Sequence, residues 1–447
     1  MQHIVATGAV LALLALIFMI GRRFVRRRFD VMFLSLLLFA YWFAFRPAQF
    51  ALGLDTPFPD YLFPGGHLEL VLTAELAAGA WLICFALGAL SADLAGWPAR
   101  VLLPRMPAEP NPFLTLAILL AFSAASAAVT AWLLISAGGA LSDSIRYVKF
   151  ERALVGLYFL RQFSAIGITL AIFTLYYFLY LQRVRGIDLP RWQVLAAAAC
   201  IGVNAFGIYA WGQRYGVAMA FVGLVVGYHY FVARLSLLRL AVLGGLFLAL
   251  FLGLRVIRDT LVFPEGVISP LEGANIWRQT AIAMHGSQFD AFLLVLRDFD
   301  LEAGLRWGED FWAGLAALAP RALWPDRPPF NPGAWFRQLY EPETQNGWPV
   351  TPIGEWLINF GWIGVAVGGA ISGYLTRAAQ QVYDDLWKNP WSMMMSFVVA
   401  LFVIPGGVNS GTPQSFMLMI LPLGVVALTL KLLTPARMRW NEAVHGY

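Results

Sequence analysis

Glu355 opens an apolar run in the segment PVTPIGEWLINFGWIG. A carboxylate there, poorly solvated beside a Pro-rich turn, could accept a proton from a hydroxyl nucleophile as a general base. The competing reading is a first-turn acid that complements the helix macrodipole. His285 is a second candidate base, set against ordinary polar surface. The cations that could serve an anionic substrate are Arg161, Arg214, Arg255, Arg258, Arg278 and Arg321. Arginine stays charged and binds phosphate with two parallel N–H donors, which suits a pyrophosphate that must be held and then released. Four of these have a structural alternative. Arg161 lies about a turn inside an apolar run, where an unpaired charge costs about 2.5 to 3.5 kcal/mol at mid-depth, so Glu69 or Glu75 could partner it. Arg214 sits in the tight GQRYG hairpin and could be solvated. Arg255 and Arg258 are three residues apart on one helix face and could simply flank the interface.

The elements that must position these groups are membrane spans. With 60% hydrophobic residues, 13% charged and a mean hydropathy of +0.68, the chain reads as a polytopic membrane protein. About eleven runs approach the length of about 20 residues needed to cross a hydrocarbon core. They cover approximately 4–20, 31–45, 68–90, 113–135, 157–181, 194–211, 217–231, 240–254, 353–376, 391–408 and 415–432. The runs are continuous rather than alternating, which favours an all-α architecture over a barrel. Three regions follow: spans one to eight over 1–254, a large loop over 255–352, and spans nine to eleven with a short tail over 353–447. The loop carries eight arginines and twelve carboxylates.

Orientation comes from the basic clusters. Arg22 to Arg28, Arg100 and Arg105, Arg183 to Arg191, Arg234 and Arg239, Arg377 and Lys388, and the tail cations all fall on one side. The positive-inside rule makes that side cytoplasmic, with an uncleaved first span, the N-terminus and large loop periplasmic and the C-terminus cytoplasmic. The net charge of +5 is therefore topological, and no nucleic-acid surface is implied. Cys84 and Cys200 both fall inside spans, so no disulfide is expected in the loop and no Cys/His metal motif exists.

Within the loop, Ser269, Pro270 and Glu272 form a capping pattern. It predicts a helix from about 270 to 297 whose apolar stripe, including Phe289, Phe292 and Leu293, packs on the membrane domain. Trp324, Trp335, Phe336, Tyr340 and Trp348 offer aromatic surface for sugar rings or for the membrane interface.

The order of Pro320, Arg321, Trp324, Pro325, Arg327 and Pro328, followed by Thr351, Gly354, Glu355, Asn359, Phe360 and Gly361, resembles the Wzy-type polymerases of bacterial O-antigen and exopolysaccharide repeat units. The Arg-bearing GQRYG turn is also similar to an outer turn of that family. The resemblance implies a GT-C-like glycosyltransferase in the bacterial inner membrane. Such an enzyme lengthens a glycan carried on undecaprenyl pyrophosphate by transferring it to the next lipid-linked repeat unit, without metal or other cofactor. Its partners would be the lipid-linked oligosaccharide and membrane lipids, with room for a chain-length regulator and a flippase. Two other classes stay open: an O-antigen ligase acting on lipid A core, and a lipid-linked oligosaccharide flippase or transporter. A metal-dependent GT-C enzyme would place its acids at Asp55 and Asp60.

Overall fold

The computed structural model describes residues 1–26, 29–64, 66–95, 111–150, 160–183, 185–262, 275–283, 286–299, 304–316, 319, 324, 326, 332–343, 347–348 and 350–385. These residues are helical wherever they are regular, and no strand occurs among them. Eight of the helices are long and apolar enough to cross a membrane, so the chain is a multi-pass membrane protein. A ninth expected span is present as a shorter apolar helix over Gly216–His229. The expected spans at 391–408 and 415–432 lie outside the described residues.

By compactness the chain divides into two units that cut across its linear order of spans, loop and spans. Unit 1 gathers described residues of Met1–Leu103 and Gly273–Asp384, and unit 2 those of Pro104–Glu272. Helices of the large loop therefore belong with the first spans and the span that follows the loop.

Unit 1 begins with α1 (Gln2–Phe24) and α2 (Val31–Ala40). Asp30 caps α2 by accepting from the Phe33 N–H at 2.7 Å. A π-helical turn, Tyr41–Phe45, leads directly into α3 (Arg46–Ala51). The second span is thus longer than its apolar run, and Arg46 is inside it rather than at the start of an exposed segment. α4 (Leu68–Ala95) follows. His3 Nδ1 lies 2.9 Å from the Ala51 carbonyl, and Gln2 Nε2 donates to Glu69 at 3.4 Å. The starts of α1 and α4 and the end of α3 therefore share one end of the unit, as successive spans require.

Residues of unit 2 form α5 (Pro112–Ser136), α6 (Leu141–Phe150), α7 (Arg161–Arg183), α8 (Arg191–Ala210), α9 (Arg214–Phe231) and α10 (Leu237–Val262). Its core is partly polar. Ser126 and Ser164 hydroxyls meet at 2.7 Å, and Asn204 Nδ2 donates to Ser123 Oγ at 2.8 Å. Such bonds join spans where lipid offers no alternative partner.

The loop contributes α11 (Ile276–Ala283), α12 (Ser287–Asp298), α13 (Glu309–Ala316) and α14 (Pro332–Gln338) to unit 1. The single helix expected from 270 to 297 is therefore two helices over its described part, with Gly286 in a turn ahead of the second; its expected start lies outside the described residues. The apolar stripe does pack as expected. Phe289, Phe292 and Leu293 are fully buried in one core with Phe43, Trp81 and Ile353. α15 (Pro352–Asp385) then crosses with a kink at Gly361, where φ is 63° and ψ −155°. Below the kink α15 lies against α4 with almost no space between backbones. A Cβ on Gly373 would stand 1.9 Å from the Phe85 carbonyl oxygen, and one on Gly369 2.7 Å from that of Trp81. The small-xxx-small pair is what lets the two spans approach.

Candidate functional site

Glu355 is placed by its own local sequence. Thr351 accepts the Gly354 N–H on its hydroxyl at 3.1 Å and the Glu355 N–H on its carbonyl at 2.9 Å, with Pro352 as the first helical residue. Glu355 thus falls in the first turn of α15. It is buried, and its Oε2 accepts no hydrogen bond among the described residues. A second buried carboxylate, Asp310 of α13, is close enough to interact with it electrostatically.

Asp310 differs from Glu355 in being fully engaged. Arg306 binds it through Nη2 at 3.0 Å and Nε at 3.1 Å, and Asn359 Nδ2 donates to it at 3.0 Å. The Arg306 guanidinium lies 3.8 Å from the Trp335 ring centroid. The Gly361 kink interrupts the helical ladder just beyond. The Ile358 and Asn359 carbonyls accept instead from the Arg306 and Trp307 N–H groups at 3.1 and 3.0 Å. Asn359, Phe360 and Gly361 therefore each have a physical task. Asn359 ties Asp310 to α15, Phe360 packs on Phe311 with centroids 5.5 Å apart, and Gly361 supplies the positive φ.

A second concentration of charge lies in unit 2. Arg214 begins α9 and Arg255 is in the last turns of α10; both are buried. The Arg214 guanidinium lies 5.4 Å from the centroid of Phe251, one turn before Arg255, so both arginines occupy the same end of the unit. Arg161 begins α7, one turn before Ser164, which packs against Gly207 near the end of α8. It therefore belongs to this end too. So does Arg146, because Ile145 of α6 clusters with Tyr209 and Leu254. Asp143 is the single carboxylate whose side chain is described at this end. The opposite end of the unit is also basic, but Arg183, Arg185, Arg191, Arg234 and Arg239 are exposed there. Exposed cations beside spans are ordinary interfacial residues.

Arg278 of α11 is placed differently from these. Its Nε binds Asp55 at 3.0 Å, its Nη1 Asp60 at 3.0 Å and its Nη2 the Thr56 hydroxyl at 2.6 Å. Asp55 also binds Arg46 Nη1 at 2.6 Å, and Arg46 makes a two-pronged pair with Asp290 of α12 at 2.9 and 2.7 Å. Gln49 Oε1 and the face of Phe50 complete the surroundings of Arg46. In this structure Asp55, Asp60 and Arg278 are thus parts of an ion cluster that joins the first connecting segment to two loop helices. Among the described residues, no three His, Cys, Asp or Glu side chains are grouped to hold a metal.

Arg258 is on α10 by its backbone, while His285 and Arg321 lie outside the described residues. Glu75 is buried in α4 and accepts no hydrogen bond among the described residues, so it gains no arginine partner there. Of the aromatic residues, Phe336 is buried in the core and Trp335, Tyr340 and Trp348 pack against it, whereas Trp324 is exposed. The sequence reading missed Arg46 and Asp310. The available signals were Gln49 and Phe50 on the same helix face as Arg46, and the four-residue spacing from Arg306 to Asp310.

Comparison of the chain with protein-family models, with curated proteins and with solved structures finds no match in any of the three.

Proposed function

We propose that the chain is a Wzy-type polymerase, a GT-C-like glycosyltransferase of about eleven spans in a bacterial inner membrane, with its N-terminus and large loop periplasmic. The observation that carries this reading is the asymmetry of unit 2, whose described arginine side chains are buried or half-buried at one end and exposed at the other. A membrane enzyme acting on a lipid pyrophosphate needs such a cation-rich end, because the departing pyrophosphate must be stabilised where water is scarce. Arg161, Arg214 and Arg255, with Arg258, are assigned to that anion.

The reaction joins the anomeric carbon of the growing glycan to a hydroxyl of the next lipid-linked repeat. The carbon–oxygen bond to undecaprenyl pyrophosphate breaks, and the hydroxyl proton passes to a base. Glu355 is assigned that proton. Its unengaged carboxylate oxygen contrasts with the fully bonded Asp310 beside it, and general bases of this kind contribute about 10²- to 10⁴-fold to rate. Asp310, held by Arg306 and Asn359, is a positioning group that keeps the loop on the first turns of α15.

The test is a strain lacking the chain, complemented with wild type or with Glu355→Gln. Loss of long glycans with single repeats still made and exported supports a polymerase. Loss of all surface attachment indicates a ligase, and loss of export a flippase. Glu355→Gln should fold, bind lipid-linked substrate and leave glycans short; chains of normal length would remove Glu355 as the base.

A further inference from the structure

We infer that α13 of the large loop lies in the lipid–water interface, with Trp307, Trp312 and Leu315 inserted at the level where headgroups meet acyl chains. Below its kink, α15 turns a lipid-type stripe outward: Trp362 and Ile363 are 53% and 77% exposed, followed by Val367, Ile371 and Leu375 at helical spacing. From Gly361 to Gln381 this part of the helix extends about 31 Å at 1.5 Å per residue, close to the roughly 30 Å of a hydrocarbon core. The kink therefore marks one boundary of the membrane.

α13 is fastened at that height. Phe311 packs on Trp356 and Phe360 with centroids 4.8 and 5.5 Å apart, and the Trp307 N–H is bonded to the Asn359 carbonyl two residues before the kink. The face of the helix opposite the buried Asp310 is turned outward. Trp312 is 58% and Leu315 44% exposed, three residues apart on one face, and Trp307 is 76% exposed beside them. Trp324 meets Trp312 edge to face at 6.3 Å. Water would hydrate such a surface at a cost, whereas the interface accepts tryptophan readily, since the ring is amphipathic and its N–H can reach headgroup oxygens. Trp307 is bonded to Asn359 only three residues before the exposed Trp362 that opens the lipid-type stripe of α15, and this height selects a bilayer as the occupant. One consequence concerns Asp310, which α13 carries on its inner side: anchoring the helix sets the depth at which Asp310 and its partner Asn359 stand.

Cys84 and Cys200 are the two cysteines of the chain, so a Cys84→Ala, Cys200→Ala background admits single spin labels. The full chain would be labelled at Trp312→Cys, Leu315→Cys, Glu309→Cys or Ile371→Cys and placed in nanodiscs of phosphatidylethanolamine and phosphatidylglycerol. Collision with oxygen and with an aqueous nickel chelate reports depth. Labels at 312 and 315 should favour oxygen, falling between the lipid control at 371 and the aqueous control at 309. Nickel accessibility equal to that at 309 would overturn the inference and leave the aromatic surface open to a glycan. Low accessibility to both reagents would overturn it as well, because protein would then cover the face. If the Trp312 variant does not fold, the Leu315 label decides alone.

Discussion

Unit 1 buries Arg46 toward one end and unit 2 buries Arg214 and Arg255 toward one of its own, and the surroundings of these arginines differ. At the Arg46 end of unit 1, the buried guanidinium is bound by Asp55 and Asp290, and the half-buried Arg278 adds Asp60 to the same cluster. At the Arg214 end of unit 2, Arg214 and Arg255 are buried with Arg161 and Arg146 nearby, and Asp143 is the one carboxylate side chain described. A buried cation surrounded by carboxylates fixes chain segments to one another, since removing either partner strands a charge. The arginines of unit 2 are the ones proposed above to hold an anionic substrate. Residue type is the same in both units, so the identity of an arginine says little about its task until its neighbours are known.

The comparison breaks most readily at Arg46. Arg46→Ala should destabilise unit 1 by about 3 to 5 kcal/mol, the usual cost of stranding one member of a buried pair, read as a lowered melting temperature in detergent. A protein that melts as wild type would show that the cluster holds nothing together. Arg214→Ala and Arg255→Ala should act on substrate instead. Each should weaken binding of a lipid pyrophosphate by about 1.5 to 3 kcal/mol, the worth of a charge-assisted bond, or roughly 10- to 150-fold. Lysine should rescue only partly, because it keeps the charge and loses the fork.

Arg278→Ala sharpens the contrast, because it separates a clamp from an anion site within unit 1. Partly exposed pairs contribute up to about 1 kcal/mol, so a small drop in melting temperature with normal glycan length is expected. Lost substrate binding at unchanged stability would move Arg278 into the other class. The smallest effect is expected at Asp298. Burial pushes its carboxyl up, but hydrogen bonds from Arg297 and Tyr340, together with the Arg297 charge, outweigh this and hold it below the usual carboxylate range. A depressed carboxyl contributes stability that is complete above the unfolded value, near 3.9, and is lost as pH falls through the folded one. Asp298→Asn should therefore cost a little stability at neutral pH and close the gap to wild type in acid, measured by melting between pH 7 and pH 3.

Much of the membrane architecture was legible because it depends on local properties. Apolar run length marked nine described helices and the start of one of them at Glu355, and the stripe of Phe289, Phe292 and Leu293 marked a buried face. Two local readings needed correction. The second span runs on through Arg46, because a buried carboxylate pair compensates a cation that hydropathy alone would expel. The expected loop helix is two helices over its described part, with Gly286 in a turn ahead of the one that carries Phe289.

What the sequence by itself determined is that this is a multi-pass helical membrane protein with a charged loop, because the bilayer demands long apolar helices and imposes that demand segment by segment. Only the tertiary structure decided which charges meet. Arg46 and Asp290 are 244 residues apart and Arg278 and Asp55 are 223 apart, so no spacing rule could join them. Their pairing follows from how α11 and α12 pack on the first spans, and packing is a property of several surfaces at once. The same holds for Asp310 beside Glu355, and for which arginines of unit 2 are buried and which are exposed.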